Sequence, residues 1–307
     1  MNMRLVIDCL DSVAKEEISK FSDWVLLVGD GTLPIVSRAL GDYGAWIQIP
    51  DDMLIVTTAG DRIRGMIDVV YDNFSFNFKD ETYLCKRAIV SPSNDVADEM
   101  NSAMILIVPG ERKEYLSFDC VSKCSDTVGN VDLLYTVEFL NSLKVNHFLD
   151  HCLVLKVGVQ VMLLRNLNQM AGLCNGTRLI ITNLANRILE ARISTGSNIG
   201  DIVYVPRIVL SARNKKWPFT LQRRQFPIRV CYAMTITKSQ GQTLLAVGLY
   251  LRNPGFSHDK LYVGVSRVTS KRGLKIFVED GDNGCGKYTK NIVYPEVFAS
   301  PRRSLSS

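Results

Sequence analysis

Residues 227–246 read PIRVCYAMTITKSQGQTLLA. The first part, 228–236, is rich in β-branched and aromatic side chains, the composition of a buried strand. A polar turn follows, Thr237-Lys238-Ser239-Gln240-Gly241-Gln242-Thr243, and then a second apolar run over 244–251. In an open α/β sheet, ligands sit in the crevice beyond the carboxyl ends of the strands. The turn would bring to that crevice two flanking threonines, a lysine, carboxamides and a glycine. Such a set suits phosphate: a fixed charge, neutral donors and close backbone approach.

Working outward, residues 87–91 (RAIVS) predict a short buried strand. Pro92-Ser93-Asn94-Asp95 breaks it and caps a helix over 96–107. Strand, polar turn, helix is the α/β unit, and the helix start at Ser93 and Asn94 can hold a phosphate. An ordinary N-cap accounts for the same two residues. Upstream, Ile18, Phe21, Trp24, Val25 and Val28 recur at helical spacing over 14–28. Gly29-Asp30-Gly31 and Pro34 end that helix. A loop anchored by Trp46 and Ile49, a short helix over 63–71 and an aromatic-rich turn over 71–80 come next. Residues 114–121 alternate like one strand, 122–131 read as loop, and 136–143 as a short helix. From 153 to 212 the texture changes to short β-rich runs between turn residues, which predicts a small all-β insert, barrel-like in form. Asn175-Gly176 is the strongest hairpin signal. A helix over 256–268, a closing strand over 273–279 and a frayed polar tail from 297 complete the chain.

With 47% hydrophobic and 22% charged residues, the composition is that of a globular protein rather than a disordered one. The net charge of +5 is mild, but its distribution is not. Residues 202–258 contain no acid, while they hold Arg207, Arg213, Lys215, Lys216, Arg223, Arg224, Arg229, Lys238 and Arg252, with Trp217, Phe219 and Phe226 among them. Basic charge beside stacking surface fits a nucleic-acid groove; a solvated basic face fits as well. No apolar run reaches bilayer length, and the start of the chain lacks the zones of a signal peptide, so neither a membrane span nor secretion is expected. The eight cysteines are scattered, which suits reduced thiols.

Three patterns imitate other chemistry. Residues 281–288 (GDNGCGKY) approach a P-loop, but Tyr288 stands where a Mg²⁺-ligating hydroxyl belongs; a glycine-rich surface loop is expected there. Cys120 and Cys124 precede His147 and His151, but the gap between the pairs is too long for a zinc finger and contains a predicted helix, so no metal site is expected. Serine, histidine and aspartate are present without a G-x-S-x-G elbow.

The residues now in hand resemble a known family. Residues 233–243 (AMTITKSQGQT) resemble motif five of the Pif-one (petite integration frequency) DNA helicases, superfamily one, class B, and 261–268 (LYVGVSRV) resemble motif six. Asn2-Met3-Arg4-Leu5 is similar to motif four, 87–101 to the first strand and helix of the second RecA-like domain, and 155–177 to the SH3-like barrel inserted in that domain. The closest group is the plant one related to Helitron helicases.

The resemblance implies an α/β fold: a second RecA-like domain of P-loop NTPase type, without the P-loop itself, carrying a small all-β SH3-like barrel. The expected division is a helical and loop segment over 1–86, the RecA-like domain over 87–152 and 213–300, and the barrel over 153–212. The family hydrolyses ATP with Mg²⁺ between two RecA-like domains and moves 5′ to 3′ on DNA, in repair, recombination and telomere maintenance. By the same resemblance Arg267 is the arginine finger and Arg4 a second γ-phosphate contact, with Gly241 and Thr243 on the nucleotide side. Thr235, Thr237, Lys238, Gln240, Ser93 and Asn94 grip single-stranded DNA, and loops bearing Arg165 and Arg178 guide it. The P-loop, Mg²⁺ ligands and first RecA-like domain are expected to precede Met1. The chain is therefore expected to be a monomeric C-terminal helicase half, nuclear by function, unable to turn over ATP alone and partnered by single-stranded DNA and the other helicase half. The alternative is a truncated, non-catalytic single-stranded-DNA-binding module.

Overall fold

The computed structural model describes residues 12–36, 45–56, 61–122, 135–145, 148–213, 217–253, 260–279 and 286–294. The helices are α1 (Ser12–Asp30), α2 (Arg62–Val70), α3 (Phe74–Asn77), α4 (Glu81–Cys85), α5 (Asn94–Ile107), α6 (Val137–Ser142), α7 (Ile236–Ser239) and α8 (Lys260–Val265). The strands run β1 (Trp46–Gln48), β2 (Arg87–Ser91), β3 (Lys113–Leu116), β4 (Phe118–Ser122), β5 (Cys152–Leu155), β6 (Gln160–Leu163), β7 (Arg178–Leu184) and β8 (Ile188–Ile193). They continue as β9 (Ile202–Pro206), β10 (Ile208–Arg213), β11 (Thr220–Gln225), β12 (Ile228–Val230), β13 (Ala233–Thr235), β14 (Ala246–Leu251), β15 (Leu274–Val278) and β16 (Tyr288–Lys290). The chain forms two compact units: Met1–Phe74, Lys86–Ala103 and Ala233–Ser307 make the first, Ser75–Cys85 and Met104–Tyr232 the second.

The first unit is built on a four-stranded sheet in the order β13-β2-β14-β15, with every pairing parallel. Parallel sheets need both faces covered, and β14 shows how this is done. Gly248 points at Met66 and Val70 of α2, while Leu249 points the other way, against Gly264 of α8. A Cβ on Gly248 would collide with both α2 side chains, so glycine sets how closely α2 approaches the sheet. Phe21, Val25 and Val28 of α1 join Leu249, Leu251, Leu261, Val265 and Ile276 in one buried cluster. The helical spacing over 14–28 thus reads correctly, and Trp46 and Ile49 are buried anchors as expected.

The second unit is antiparallel. A five-stranded sheet runs β12-β6-β7-β8-β9, a three-stranded one β10-β11-β4, and β3 pairs with β5. Inward residues alternate along β8 and β9, where Leu189, Ala191, Ile193, Val203 and Val205 are buried. This unit is wider than the 153–212 insert expected, because β3, β4, α6 and β11 complete its sheets and core.

Several expectations are corrected. The single strand 228–236 is two: β12 joins the antiparallel sheet of the second unit, and β13 the parallel sheet of the first. Composition sees one apolar run; the chain leaves one sheet and enters another within it. The alternating run 114–121 breaks at Ser117 into β3 and β4, whose partners differ. Asn175-Gly176 is not a two-residue hairpin turn. It closes a longer connection between β6 and β7, in which Gly176, at φ 92°, donates its N–H to the Leu163 carbonyl. The turn expected over 71–80 contains the short helix α3.

Candidate functional site

The residues singled out in the sequence fall at opposite edges of the parallel sheet of the first unit. Thr235 ends β13 and pairs with Ser91 at the end of β2, so both lie at the carboxyl edge. There the Ser91 hydroxyl donates to the Ser93 carbonyl (2.7 Å), and the Ser93 hydroxyl accepts the N–H of Val96 (3.4 Å). Ser93 is thus the N-cap of α5 and Asn94 its first residue, with the acid Asp95 in the first turn. Ser93 and Thr237 are exposed, while Thr235, Asn94 and Lys238 are half-buried.

Past α7 the chain runs back. Leu244 bridges Val268, and Leu245 and Ala246 donate to the Lys86 carbonyl just before β2 begins. The second half of the polar turn therefore reaches the amino edge of β14. The turn is closed by Gln240 N–H to Thr237 O (3.4 Å) and Gln242 N–H to Ser239 O (3.1 Å). Gly241 has φ 79°, and a Cβ there would meet nothing within 4 Å. The position thus calls for left-handed backbone rather than for space. Gln240, Gly241 and Thr243 are exposed.

Arg267 joins this turn to the residues after α8. Its Nε donates to the Val263 carbonyl (2.7 Å) and one terminal nitrogen to the Ser266 hydroxyl (2.8 Å). The other reaches the carbonyls of Ser239 and Gln242, both at 3.4 Å. Its backbone carbonyl accepts from Leu244 (2.9 Å). The guanidinium is half-buried and occupied with carbonyls, the structural role a cation takes near a helix C-terminus. The same contacts place it beside Gly241 and Thr243. Ser239, fully buried with its hydroxyl on the Ile236 carbonyl, supports the arrangement. A buried serine in a polar turn carries no sequence signal that separates it from its exposed neighbours. Arg4 lies outside the described residues.

Part of the acid-free stretch is committed to structure. Arg223 is buried against Asp119, Arg252 pairs with Glu99 and Glu279, and Arg229 lies 3.5 Å from Asp150. Acids distant in sequence supply what the stretch itself lacks. Phe219 and Phe226 are core residues and Trp217 stacks on Phe219, so they are not the stacking surface expected. Arg178 is fully buried, which removes it from a strand-guiding loop; Arg165 is exposed.

Residues 281–285 of the P-loop-like pattern lie outside the described residues, and the residues that follow them do not take the form a P-loop needs. Tyr288 opens a strand paired with β1, where a P-loop requires a helix, and Lys287 is bound to Asp51 (3.1 Å). Cys120 bonds Gln222 and His151 bonds Ser117; Cys124 and His147 lie outside the described residues. Among the described residues no three His, Cys, Asp or Glu side chains come together as a metal site. No helix of the described residues is long and apolar enough to cross a membrane.

Comparison with known proteins gives this geometry a context. Residues 138–184, inside the second unit, match the family described as DNA helicase Pif1, 2B domain. The chain is 31% identical over 142 residues to the human ATP-dependent DNA helicase PIF1, a match covering 45% of this chain and 21% of that protein. It is 28% identical over 160 residues to the ATP-dependent DNA helicase PIF6 of Trypanosoma brucei brucei, covering 51% and 20% respectively. The crystal structure of Pif1 helicase from Candida albicans superposes with a TM-score of 0.55 at 19% identity, over 89% of this chain and 56% of that one. The fold is therefore shared with a Pif1 helicase, and the sequence is related to the Pif1 DNA helicases. The matched segment spans about a fifth of the curated relatives.

Proposed function

We propose that this chain is the second RecA-like half of a Pif1-type, ATP-dependent DNA helicase, with the antiparallel unit serving as its SH3-like 2B domain. One observation carries the reading: the turn 235–243 runs from one edge of the parallel sheet to the other, and Arg267 is bonded to its far end. A single short segment thus has a polar face at the carboxyl edge for DNA and an arginine at the amino edge for phosphate.

In this reading Thr235, Thr237, Lys238, Gln240, Ser93 and Asn94 hold the backbone of single-stranded DNA. Arg267, with Arg4, faces the γ-phosphate of ATP, and Gly241 and Thr243 line the same side. Guanidinium is planar and permanently charged, so exchanging carbonyl partners for phosphate oxygens suits it. Releasing the Ser239 and Gln242 carbonyls would loosen the turn that grips DNA, which links phosphate to grip. The triphosphate cradle and Mg²⁺ ligands belong to the first RecA-like half. Movement 5′ to 3′, kinship with the plant Helitron group and a nuclear role in repair or recombination belong to the same reading.

The test is a pair of substitutions read by two assays. Lys238→Ala should weaken binding to oligo-dT and reduce the slope of log affinity against log salt by about 0.7. Arg267→Ala removes no DNA phosphate contact and only loosens the turn through the Ser239 and Gln242 carbonyls. It should leave the salt slope unchanged and lower affinity less than Lys238→Ala, yet cost about a thousandfold or more in ATP turnover once the partner half is present. The chain alone should show no DNA-stimulated ATPase. Robust turnover by the pure chain, or DNA affinity that depends on Arg267 and not on Lys238, sinks the assignment.

A further inference from the structure

The three-stranded sheet of the second unit has one covered and one open face. Strand register fixes which residues share each. On the covered side Leu210, Arg223 and Asp119 align, as do Ala212, Leu221 and Val121, over the cluster formed with Leu140, Phe148 and Phe219. On the open side Val209, Arg224 and Phe118 make one row, Ser211, Gln222 and Cys120 the next, and Arg213, Thr220 and Ser122 the third. Phe118 is 68% exposed and Val209 56%. Arg213 and Arg224 are exposed and paired with no described acid.

A core-forming strand has no use for a phenyl ring in water. Here the ring stands beside an arginine across the strand pair, followed by hydroxyls and a carboxamide, and then by a second arginine. The only acid on these three strands, Asp119, points inward to Arg223. A flat face with an open ring, flanking cations and neutral hydrogen-bonding groups is the composition that binds single strands without reading sequence: bases stack and phosphates meet cations. An acidic protein segment would satisfy the arginines but has no flat partner for the ring.

We propose that this open sheet face is a second single-stranded nucleic-acid contact, in which a base stacks on Phe118 and the flanking phosphates meet Arg224 and Arg213. It rests on the reading of the chain as a DNA-binding helicase half, but uses none of the residues assigned to the turn 235–243.

The test uses the full chain, end-labelled oligo-dT and fluorescence anisotropy across a salt series. Phe118→Ala should weaken binding about tenfold with an unchanged salt slope. Phe118→Trp should restore it, and Arg224→Ala should lower the slope by about 0.7. Because Phe118 is exposed, its variants keep the thermal transition of the parent. If Phe118→Ala and Arg224→Ala bind like the parent while Lys238→Ala does not, the sheet-face proposal is overturned and the helicase reading stands. If the parent binds no oligo-dT at all, both fall. If poly-glutamate displaces oligo-dT and its own binding needs Phe118, the face docks an acidic protein segment and the proposal is overturned.

Discussion

Tyr250 shows what one residue does inside the parallel sheet. It is buried on β14, and its hydroxyl donates to Glu279 (3.0 Å), which also pairs with Arg62. Burial first, and the neighbouring Glu279 carboxylate second, push the phenol up to about 12 from its ordinary 10.0. A raised folded-state pKa means that the neutral hydroxyl is the form the fold favours. Its contribution to stability is whole below pH 10 and is lost as pH rises through about 12. An alkaline absorbance titration should therefore show Tyr250 among the late-ionising tyrosines, with Tyr232 and Tyr115, which burial also raises, and Glu279→Gln should move Tyr250 part of the way back. A late phase that Glu279→Gln leaves unchanged would show that Glu279 has no hold on this ring. Arg267 makes the complementary point. Its side chain is legible as an arginine after a helix, but the carbonyls it meets come from a segment about 25 residues away, which no local spacing reveals.

At the scale of elements, β13 is the exposed problem of the parallel sheet: an edge strand of three residues. Asn101 of α5 closes that edge. Its amide nitrogen donates to the Ala233 carbonyl (2.9 Å) and its amide oxygen accepts the Ala233 N–H (2.8 Å), as a neighbouring strand would. Asn101→Leu strands both backbone groups in a buried place and should cost about 1–3 kcal/mol in urea unfolding; a change within experimental scatter would mean that water replaces the amide. The elements themselves are mostly legible in the sequence. The strand 87–91, the helix 96–107 and the run 244–251 follow from periodicity and punctuation, because each is one element with one partner surface. Reading fails where a continuous apolar run serves two sheets, at 228–236 and 114–121, since strand composition records burial and not which sheet does the burying. It fails again for Arg178, Phe219 and Phe226: basic and aromatic residues near a predicted groove look alike whether they face the groove or hold the core behind it.

At the scale of the whole molecule, the two units have separate cores. The second depends on Arg223, whose guanidinium makes a bidentate pair with buried Asp119 and also reaches the carbonyls of Leu140 and Leu149. Arg223→Ala leaves a carboxylate buried without its partner, a loss of about 3–5 kcal/mol. Hydrogen exchange should show amides of β11 and β4 losing protection while those of β14 keep theirs. Equal loss in both would mean that the chain unfolds as one body. The Asn101–Ala233 pairing has a related consequence. It sits just inside the points where the chain departs at Met104 and comes home at Ala233, and so acts as a clasp holding the two ends of a long excursion side by side. With that doorway fixed, lengthening the excursion costs entropy only as the logarithm of its length, roughly 0.6 kcal/mol per doubling. Relatives could therefore enlarge or trim what hangs beyond the clasp while the parallel sheet scarcely registers the change.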